Sequence, residues 1–138
     1  MARRDPLTVE ILNLLAEMTT LFYAEYDQVA ATHQLTGGQA RMLALVADEA
    51  MPMSQLAGRL KCEPSNITGL VDRMEKRGLV SREPDVHDRR IKLVTPTEQG
   101  RDVAGRIWTE LDYAANPLAG LDVTERETLR DLLRKIEI

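Results

Sequence analysis

Several residue types are scarce in this sequence of 138 residues, which has one cysteine, one tryptophan, one phenylalanine and three tyrosines. The single thiol, Cys62, excludes an intramolecular disulfide, and no charged-then-apolar signal segment opens the chain, so we expect the reducing cytoplasm. No apolar run approaches the roughly 20 residues that span a bilayer, so we expect no membrane segment. Since a chain of this length buries roughly 70% of its unfolded surface, we expect one globular domain.

The sequence also lacks the signatures of catalysis. It has no Gly-rich phosphate loop, no nucleophile elbow and no pair of carboxylates with an associated histidine. Its two histidines, His33 and His87, are far apart and have no Cys or His at metal-ligand spacing. We therefore expect no enzyme activity, no cofactor and no metal site.

Charge is unevenly distributed along the chain. The net charge is -4, yet the segment from Ser54 to Val94 has nine basic and six acidic residues, a local balance of +3. A basic segment in an acidic body is typical of a protein with one surface that meets phosphate. Chance clustering of basic residues explains this charge distribution equally well, so the sequence motifs are needed to choose between the two interpretations.

The first long segment, from Leu7 to about Thr32, predicts an amphipathic helix that opens at Pro6. Its apolar residues recur every three or four positions: Leu7, Ile11, Leu14, Leu15, Met18, Leu21, Phe22 and Tyr26. A small monomer covers only part of so long a helix, which indicates packing against a partner subunit.

Capping and breaking signals divide the middle of the chain into short helices. Thr36 heads a capping box, and the helix that it opens ends before Met51-Pro52. We predict a short helix from Ser54 to Leu60. The next helix runs from Pro64 to Arg77 and stops at Gly78, which tolerates the left-handed conformation of a helix end.

The remainder of the chain predicts one hairpin and two more helices. Two β-prone runs, Leu79 to Glu83 and Arg90 to Val94, flank a polar stretch and are the only β structure that we expect. Thr97 caps a helix that ends near Asn116-Pro117, and Asp122 opens the last helix.

This order of elements predicts a winged helix-turn-helix, a mainly α fold with a small β-hairpin wing. On the helix from Pro64 to Arg77, the apolar residues at spacings of three and four are Ile67, Leu70, Val71 and Met74. The opposite face has short hydrogen-bonding side chains, a glycine and charged residues: Ser65, Asn66, Thr68, Gly69, Asp72, Arg73 and Lys76. Such a face suits a helix in a DNA major groove, where Asn66 can pair with adenine and Arg73 can reach guanine or phosphate.

The tip of the predicted hairpin carries Asp88, Arg89 and Arg90. Arginine is favoured in a narrow minor groove, and Asp88 is spaced to hold the Arg90 side chain extended. An isolated Asp-Arg-Arg is better explained as a solvated turn, but its place behind a helix-turn-helix favours DNA.

These motifs together resemble the MarR family of bacterial transcription regulators. The residues that carry the resemblance are Leu35-Thr36-x-x-Gln39-x-x-x-Leu43, Leu56-Ala57-x-x-Leu60, Ile67-Thr68-x-Leu70-Val71-Asp72-Arg73-Met74-Glu75-x-x-Gly78-Leu79-Val80-x-Arg82, Asp88-Arg89-Arg90 and Thr97-Glu98-x-Gly100. Two departures are Pro96 in place of the usual Leu and Glu63 in place of the usual Ser.

The resemblance implies a homodimer with interlocked terminal helices, two winged lobes on a pseudo-palindromic site, and repression relieved by a small anion or an oxidant. Residues 7–33 and 98–138 of the single domain would then serve dimerisation, and residues 35–96 would form the DNA-binding lobe. The predicted DNA contacts are Thr36, Arg41, Ser65, Asn66, Thr68, Gly69, Arg73, Lys76, Arg82, Asp88, Arg89 and Arg90.

Two further features have two interpretations each. Phe22, Tyr26 and Trp108 are candidates for binding a small phenolic or carboxylate effector, with Arg41 as countercharge, but we favour dimer core because aromatic residues dominate such interfaces. Cys62 is a candidate redox switch, but we favour a small packed hydrophobe.

The leading hypothesis is thus a sequence-specific, DNA-binding repressor. The alternative is a winged-helix module for protein interaction or ligand binding without DNA, since a fold by itself does not fix function. The polar face of the recognition helix, which is the helix from Pro64 to Arg77, favours DNA, and so do the wing arginines. Whether the protein represses or activates depends on where its site lies relative to a promoter, which no residue records.

Overall fold

The computed structural model describes residues 5–61, 64–112 and 116–136. The chain divides into two compact units, one formed by Met1–Glu25 with Leu111–Ile138 and the other by Tyr26–Glu110. Cys62 and Glu63 lie outside the described residues, so the favoured role of Cys62 as a small packed hydrophobe, rather than a redox switch, stays a prediction.

The first helix, α1, spans Pro6–Thr32, as the apolar spacing predicts. Asp5 caps it, because its carboxylate accepts from the Thr8 hydroxyl at 2.9 Å and the Thr8 amide at 3.1 Å. The hydrogen bond from the Thr8 side chain is the main reason that the pKa of Asp5 lies below its ordinary value.

By length and composition alone, α1 is long and apolar enough to cross a membrane, although polar residues interrupt its apolar ones. One such helix near an N-terminus carries little weight, because helices that pack against protein pass the same test. Many of its apolar side chains are exposed: Leu7, Val9, Ile11, Leu12, Leu14, Met18, Leu21 and Tyr23. An apolar face of this size calls for a covering surface.

The unit of residues 26–110 is a winged helix-turn-helix, which confirms the predicted fold. Its elements are α2 (Gly37–Asp48), β1 (Met51–Pro52), α3 (Met53–Leu60), α4 (Pro64–Lys76), β2 (Val80–Pro84), β3 (Lys92–Pro96) and α5 (Glu98–Glu110). The largest fully buried side chains are Met42, Leu43, Val46, Leu56, Ile67, Val71, Met74, Leu79, Val80, Val94 and Ile107. The core therefore joins α2 to α5 and the sheet behind the polar face of α4.

The prediction that the hairpin is the only β structure was wrong. The sheet has the strand order β1-β3-β2 and is antiparallel, with Met51 opposite Val94 and Arg82 also opposite Val94 from the other side. The pair Met51-Pro52 does end the preceding helix, but it also forms a short edge strand, the place where a sheet tolerates proline.

The turn after α4 aligns the recognition helix with the wing. Gly78 has φ of 73°, and the amide of Leu79 donates to the Met74 carbonyl at 3.0 Å, which closes the helix as predicted. The Thr97 hydroxyl donates to the Gly78 carbonyl at 2.6 Å and accepts from the Gly100 amide at 3.0 Å. One threonine thus fixes the end of α4 to the start of α5.

Gly100 marks a close backbone approach that the sequence did not reveal. A β-carbon there would lie 2.0 Å from the Leu79 carbonyl oxygen. Only glycine fits between α5 and the start of the wing without displacing backbone.

In the other unit, a 3₁₀ turn at Asn116–Leu118 precedes the last helix, α6, at Val123–Lys135. Asp122 and Glu125 form the predicted capping box, with a 2.8 Å bond from the Glu125 amide to the Asp122 carboxylate. The apolar side chains Val123, Leu132, Leu133 and Ile136 are exposed, as on α1.

Candidate nucleic-acid interface

The exposed face of α4 is polar, as the helical spacing predicts. Ile67, Val71 and Met74 are at most 1% exposed, whereas Leu70 is half-buried. The solvent-facing side chains include the predicted Asn66, Thr68, Asp72, Arg73 and Lys76, and also Glu75. Ser65 belongs to the helix, but its side chain lies outside the described part of the structure.

Gly69 sits in the middle of this face. A β-carbon there would meet only the Arg73 guanidinium, at 3.8 Å, which is an ordinary contact. The fold itself therefore does not require glycine at this position. Its lack of a side chain leaves the surface of α4 low between Asn66 and Arg73, where a groove edge can approach.

The wing carries a cation, Arg90, that is almost fully exposed. Arg90 donates from Nε to Asp88 Oδ1 at 3.0 Å and from Nη2 to Oδ2 at 3.1 Å, and its side chain is still 91% exposed. The side-chain hydrogen bond from Arg90 is the main reason that the pKa of Asp88 lies below its ordinary value. Arg89 beside it is also exposed. The predicted pairing of Asp88 with Arg90 is therefore present, and it leaves the guanidinium at the surface.

Arg82, one of the predicted DNA contacts, forms ion pairs within the protein. Its Nη2 donates to Asp72 at 2.6 Å and its Nη1 donates to Glu75 at 2.9 Å. The side chain is 25% exposed, far less than that of Arg90. Arg82 thus joins β2 to the recognition helix.

Thr36 and Arg41 belong to α2. The Thr36 hydroxyl accepts from the Gln39 amide at 3.1 Å, and the Gln39 side chain accepts from the Thr36 amide at 3.0 Å, which confirms the capping box. Arg41 is half-buried, and its charge acts on the buried Tyr26. Burial raises the pKa of the Tyr26 phenol, and the positive charge of Arg41 partly offsets that rise.

Sequence reasoning missed the contacts at the far end of α4. Arg77 donates from Nη2 to the His33 carbonyl at 3.2 Å and from Nη1 to the Gln34 carbonyl. The His33 imidazole pairs with Glu110 at 3.2 Å. Together these contacts tie the ends of α1, α4 and α5. No motif marks an arginine that bonds to backbone carbonyls, because every residue offers the same acceptor.

The three aromatic residues considered for an effector are divided between the units. Phe22 lies in the unit of residues 1–25 and 111–138, where its ring centroid is 5.7 Å from that of Tyr23. Tyr26 and Trp108 lie in the other unit, Tyr26 buried at 4% exposure and Trp108 open at 63%. The choice between effector site and dimer core stays a prediction.

The exposed face of α4 and the wing tip with Arg89 and Arg90 suit non-covalent recognition of a polyanion. They present amide, hydroxyl and guanidinium donors, the groups that contact base edges and phosphates. Within residues 5–61, 64–112 and 116–136, no group of three or more His, Cys, Asp or Glu could hold a metal ion.

The chain is similar in sequence to known transcription regulators. A family model described as the MarR family matches residues 35–92. The homoprotocatechuate degradative operon repressor of Escherichia coli is 29% identical over 111 residues, which cover 80% of this chain and 72% of that protein. The transcriptional activatory protein BadR of Rhodopseudomonas palustris is 47% identical over 53 residues, which cover 38% of this chain and only 30% of BadR. The crystal structure of CouR from Rhodococcus jostii RHA1 bound to p-coumaroyl-CoA is 27% identical, with a TM-score of 0.80, and the match covers 97% of this chain and 99% of CouR.

Proposed function

Because this chain belongs to the MarR family of transcription regulators, we propose that it is a cytoplasmic homodimer that represses transcription by binding a pseudo-palindromic site in double-stranded DNA. In each lobe α4 lies in the major groove and the wing reaches the adjacent minor groove. The major-groove contact is made by Ser65, Asn66, Thr68, Arg73 and Lys76. The minor-groove contact is made by Arg89 and Arg90.

The observation that carries this proposal is the combination of a polar α4 with a pre-aligned arginine on the wing. A helix that binds another protein gains from exposed apolar residues, but the open face of α4 has amide, hydroxyl and charged groups. Arg90 is 91% exposed although two of its donors are held by Asp88. Its conformation is therefore set before DNA arrives, which reduces the entropy lost on binding.

Dimerisation is supported by the apolar side chains exposed on α1 and α6. Ile11 and Leu14 are 46% and 54% exposed, and Leu132 and Leu133 are 54% and 43% exposed. A soluble monomer rarely leaves so many large apolar side chains on two helices uncovered. A symmetric dimer also matches a symmetric site, since each lobe reads one half.

The test begins with selection of duplexes from a random pool by the purified protein. Fluorescence anisotropy then compares the selected duplex with a scrambled duplex across a salt series. We expect the selected duplex to bind roughly a thousandfold more tightly, with log affinity falling steeply against log salt. Equal, weak binding to both duplexes would instead favour the alternative of a winged-helix module that does not regulate through DNA.

We further propose that an aromatic carboxylate or its thioester relieves repression. The support is chemical: CouR is solved with p-coumaroyl-CoA, and here a buried Tyr26 lies within the electrostatic reach of Arg41, a cation suited to an anionic ligand. p-Coumarate and p-coumaroyl-CoA should each be titrated into the complex with the selected duplex. Release of DNA by either one, with loss of that response in Arg41→Ala, is the expected result. No release at saturating concentrations would show that repression is not relieved by this class.

A further inference from the structure

Arg82 bridges two carboxylates of the recognition helix from its position on the wing strand β2. Asp72 and Glu75 are three residues apart on α4, so they are neighbours on the helix surface. The Arg82 guanidinium reaches both, at 2.6 Å and 2.9 Å, with a different nitrogen for each. A planar fork with fixed donor directions holds such a geometry, whereas a single ammonium group cannot reproduce it.

The three side chains also differ in exposure in a way that suits an internal link. Arg82 is 25% exposed, whereas Asp72 and Glu75 are 52% and 43% exposed. Arg82 is thus partly covered between strand and helix, where its ion pairs are less screened than pairs at the open surface. Two of its nitrogens are already committed to carboxylates, and a nearby phosphate would compete with those bonds.

We propose that Arg82 is a positioning residue rather than a DNA contact: with Asp72 and Glu75 it fixes the wing relative to α4, so that Arg90 and the polar face of α4 meet adjacent grooves of one duplex. This inference rests on the DNA binding proposed above. Two contacts made by one rigid unit cost less ordering entropy than two contacts made by independently moving parts. The bridge from Arg82 to Asp72 and Glu75 should therefore raise the affinity for the selected duplex, where the α4 and wing contacts both form. It should have little effect on the affinity for scrambled DNA.

The sign of the effect at Asp72 separates this inference from simple electrostatics. Asp72 is an exposed carboxylate on the helix that meets DNA, so neutralising it should tighten binding to any duplex if charge alone matters. If Asp72 holds Arg82, neutralising it should weaken binding to the selected duplex while binding to the scrambled duplex rises or stays level.

The experiment measures the affinity of Arg82→Ala, Arg82→Lys, Asp72→Asn and Glu75→Gln for both duplexes. We expect Arg82→Ala and Asp72→Asn each to lose roughly 3- to 30-fold on the selected duplex, the range for residues coupled in one network. Arg82→Lys should recover part of the loss, and the double variant Arg82→Ala/Asp72→Asn should lose no more than Arg82→Ala alone. Asp102→Asn, which neutralises an exposed carboxylate on α5, is the matched control and should not weaken either duplex.

A second readout needs no DNA. Backbone NMR relaxation of residues 80–96 should show greater wing mobility in Arg82→Ala than in wild type, while thermal unfolding confirms that the variant is folded. Unchanged wing mobility would overturn the inference even if the protein proved not to bind DNA selectively. Equal weakening on both duplexes, with a shallower salt dependence, would also overturn it and identify Arg82 as a phosphate contact.

Discussion

The carboxylate of Asp88 holds the guanidinium of Arg90 through two side-chain hydrogen bonds, at 3.0 Å and 3.1 Å, and accepts a third from the Arg90 amide at 3.1 Å. The turn at the wing tip is closed separately, by the Asp85 amide on the Ile91 carbonyl at 2.9 Å. The hairpin therefore presents the Arg90 guanidinium at the surface in a conformation that Asp88 holds.

Replacing Arg90 by alanine should weaken binding to the selected duplex by about 1 to 3 kcal/mol, because a groove contact and its charge are both lost. Anisotropy titration at fixed salt measures the change. Arg101→Ala, which removes an exposed arginine from α5, is the control and should have little effect. Unchanged affinity in Arg90→Ala would show that the wing does not enter the groove.

The pairing of Asp88 with Arg90 should persist across neutral and mildly acidic pH. Hydrogen bonds from Arg90 hold the pKa of Asp88 below 3.8, so its ionised form is favoured in the fold. The pairing is therefore complete above that pKa and is lost only as the pH falls through the lower, folded value. NMR titration of the Asp88 carboxyl should give a midpoint that returns toward 3.8 in Arg90→Ala. A midpoint that does not move would mean that the pair is absent in solution.

Gly100→Ala should destabilise the protein by about 1 to 3 kcal/mol or more, because the new methyl group would overlap the Leu79 carbonyl. Gly105→Ala is the matched control on the same helix, since a β-carbon there meets nothing within 4 Å. That control should stabilise by up to about 1 kcal/mol through helix propensity. Urea unfolding at one protein concentration compares them, and similar stability of the two variants would contradict the close approach.

The Tyr26 phenol should titrate above its ordinary pKa of 10.0, because burial disfavours the phenolate. The unfolded chain then releases this proton first, so the stability contributed by Tyr26 is complete below pH 10.0 and is lost as the pH rises through the folded pKa. Arg41→Ala should raise the pKa further, whereas Arg59→Ala on α3 should not. The pKa of Tyr26 is measured from the ultraviolet absorbance of the phenolate, after the absorbance of the Tyr26→Phe variant is subtracted. A lower pKa in Arg41→Ala would refute the electrostatic link.

Charge placed on the apolar faces of α1 or α6 should separate the dimer. Ile11→Glu and Leu133→Glu each bury a carboxylate in the proposed interface, which is costly without a partner. Val86→Glu is the control, because Val86 is an apolar residue on the wing, 87% exposed and remote in sequence from both faces. Analytical ultracentrifugation should find particles smaller than the dimer for Ile11→Glu and Leu133→Glu but not for Val86→Glu. Dimers that survive both substitutions would place the interface elsewhere.

Features that depend on residues a few positions apart were predicted from the sequence. The capping boxes at Thr36 and Asp122, the left-handed stop at Gly78 and the buried face with Ile67 and Met74 are all present. These patterns are readable because capping bonds and helical faces join residues within one or two turns. The same local reading identified the Asp88 and Arg90 pair, which lies within a single turn.

Features that involve residues distant along the chain were settled only by the tertiary structure. The strand at Met51, the glycine requirement at Gly100 and the carbonyl contacts of Arg77 leave no periodic signal. Each depends on backbone atoms brought close by the packing of the core, and every residue type carries those atoms. Arg82 is the most instructive case: the sequence supplied a cation in a DNA-binding lobe, but only the fold aligned it with Asp72 and Glu75. Sequence therefore determined which surface is chemically suited to DNA, and three-dimensional packing decided which of its charges face outward and which hold the lobe together.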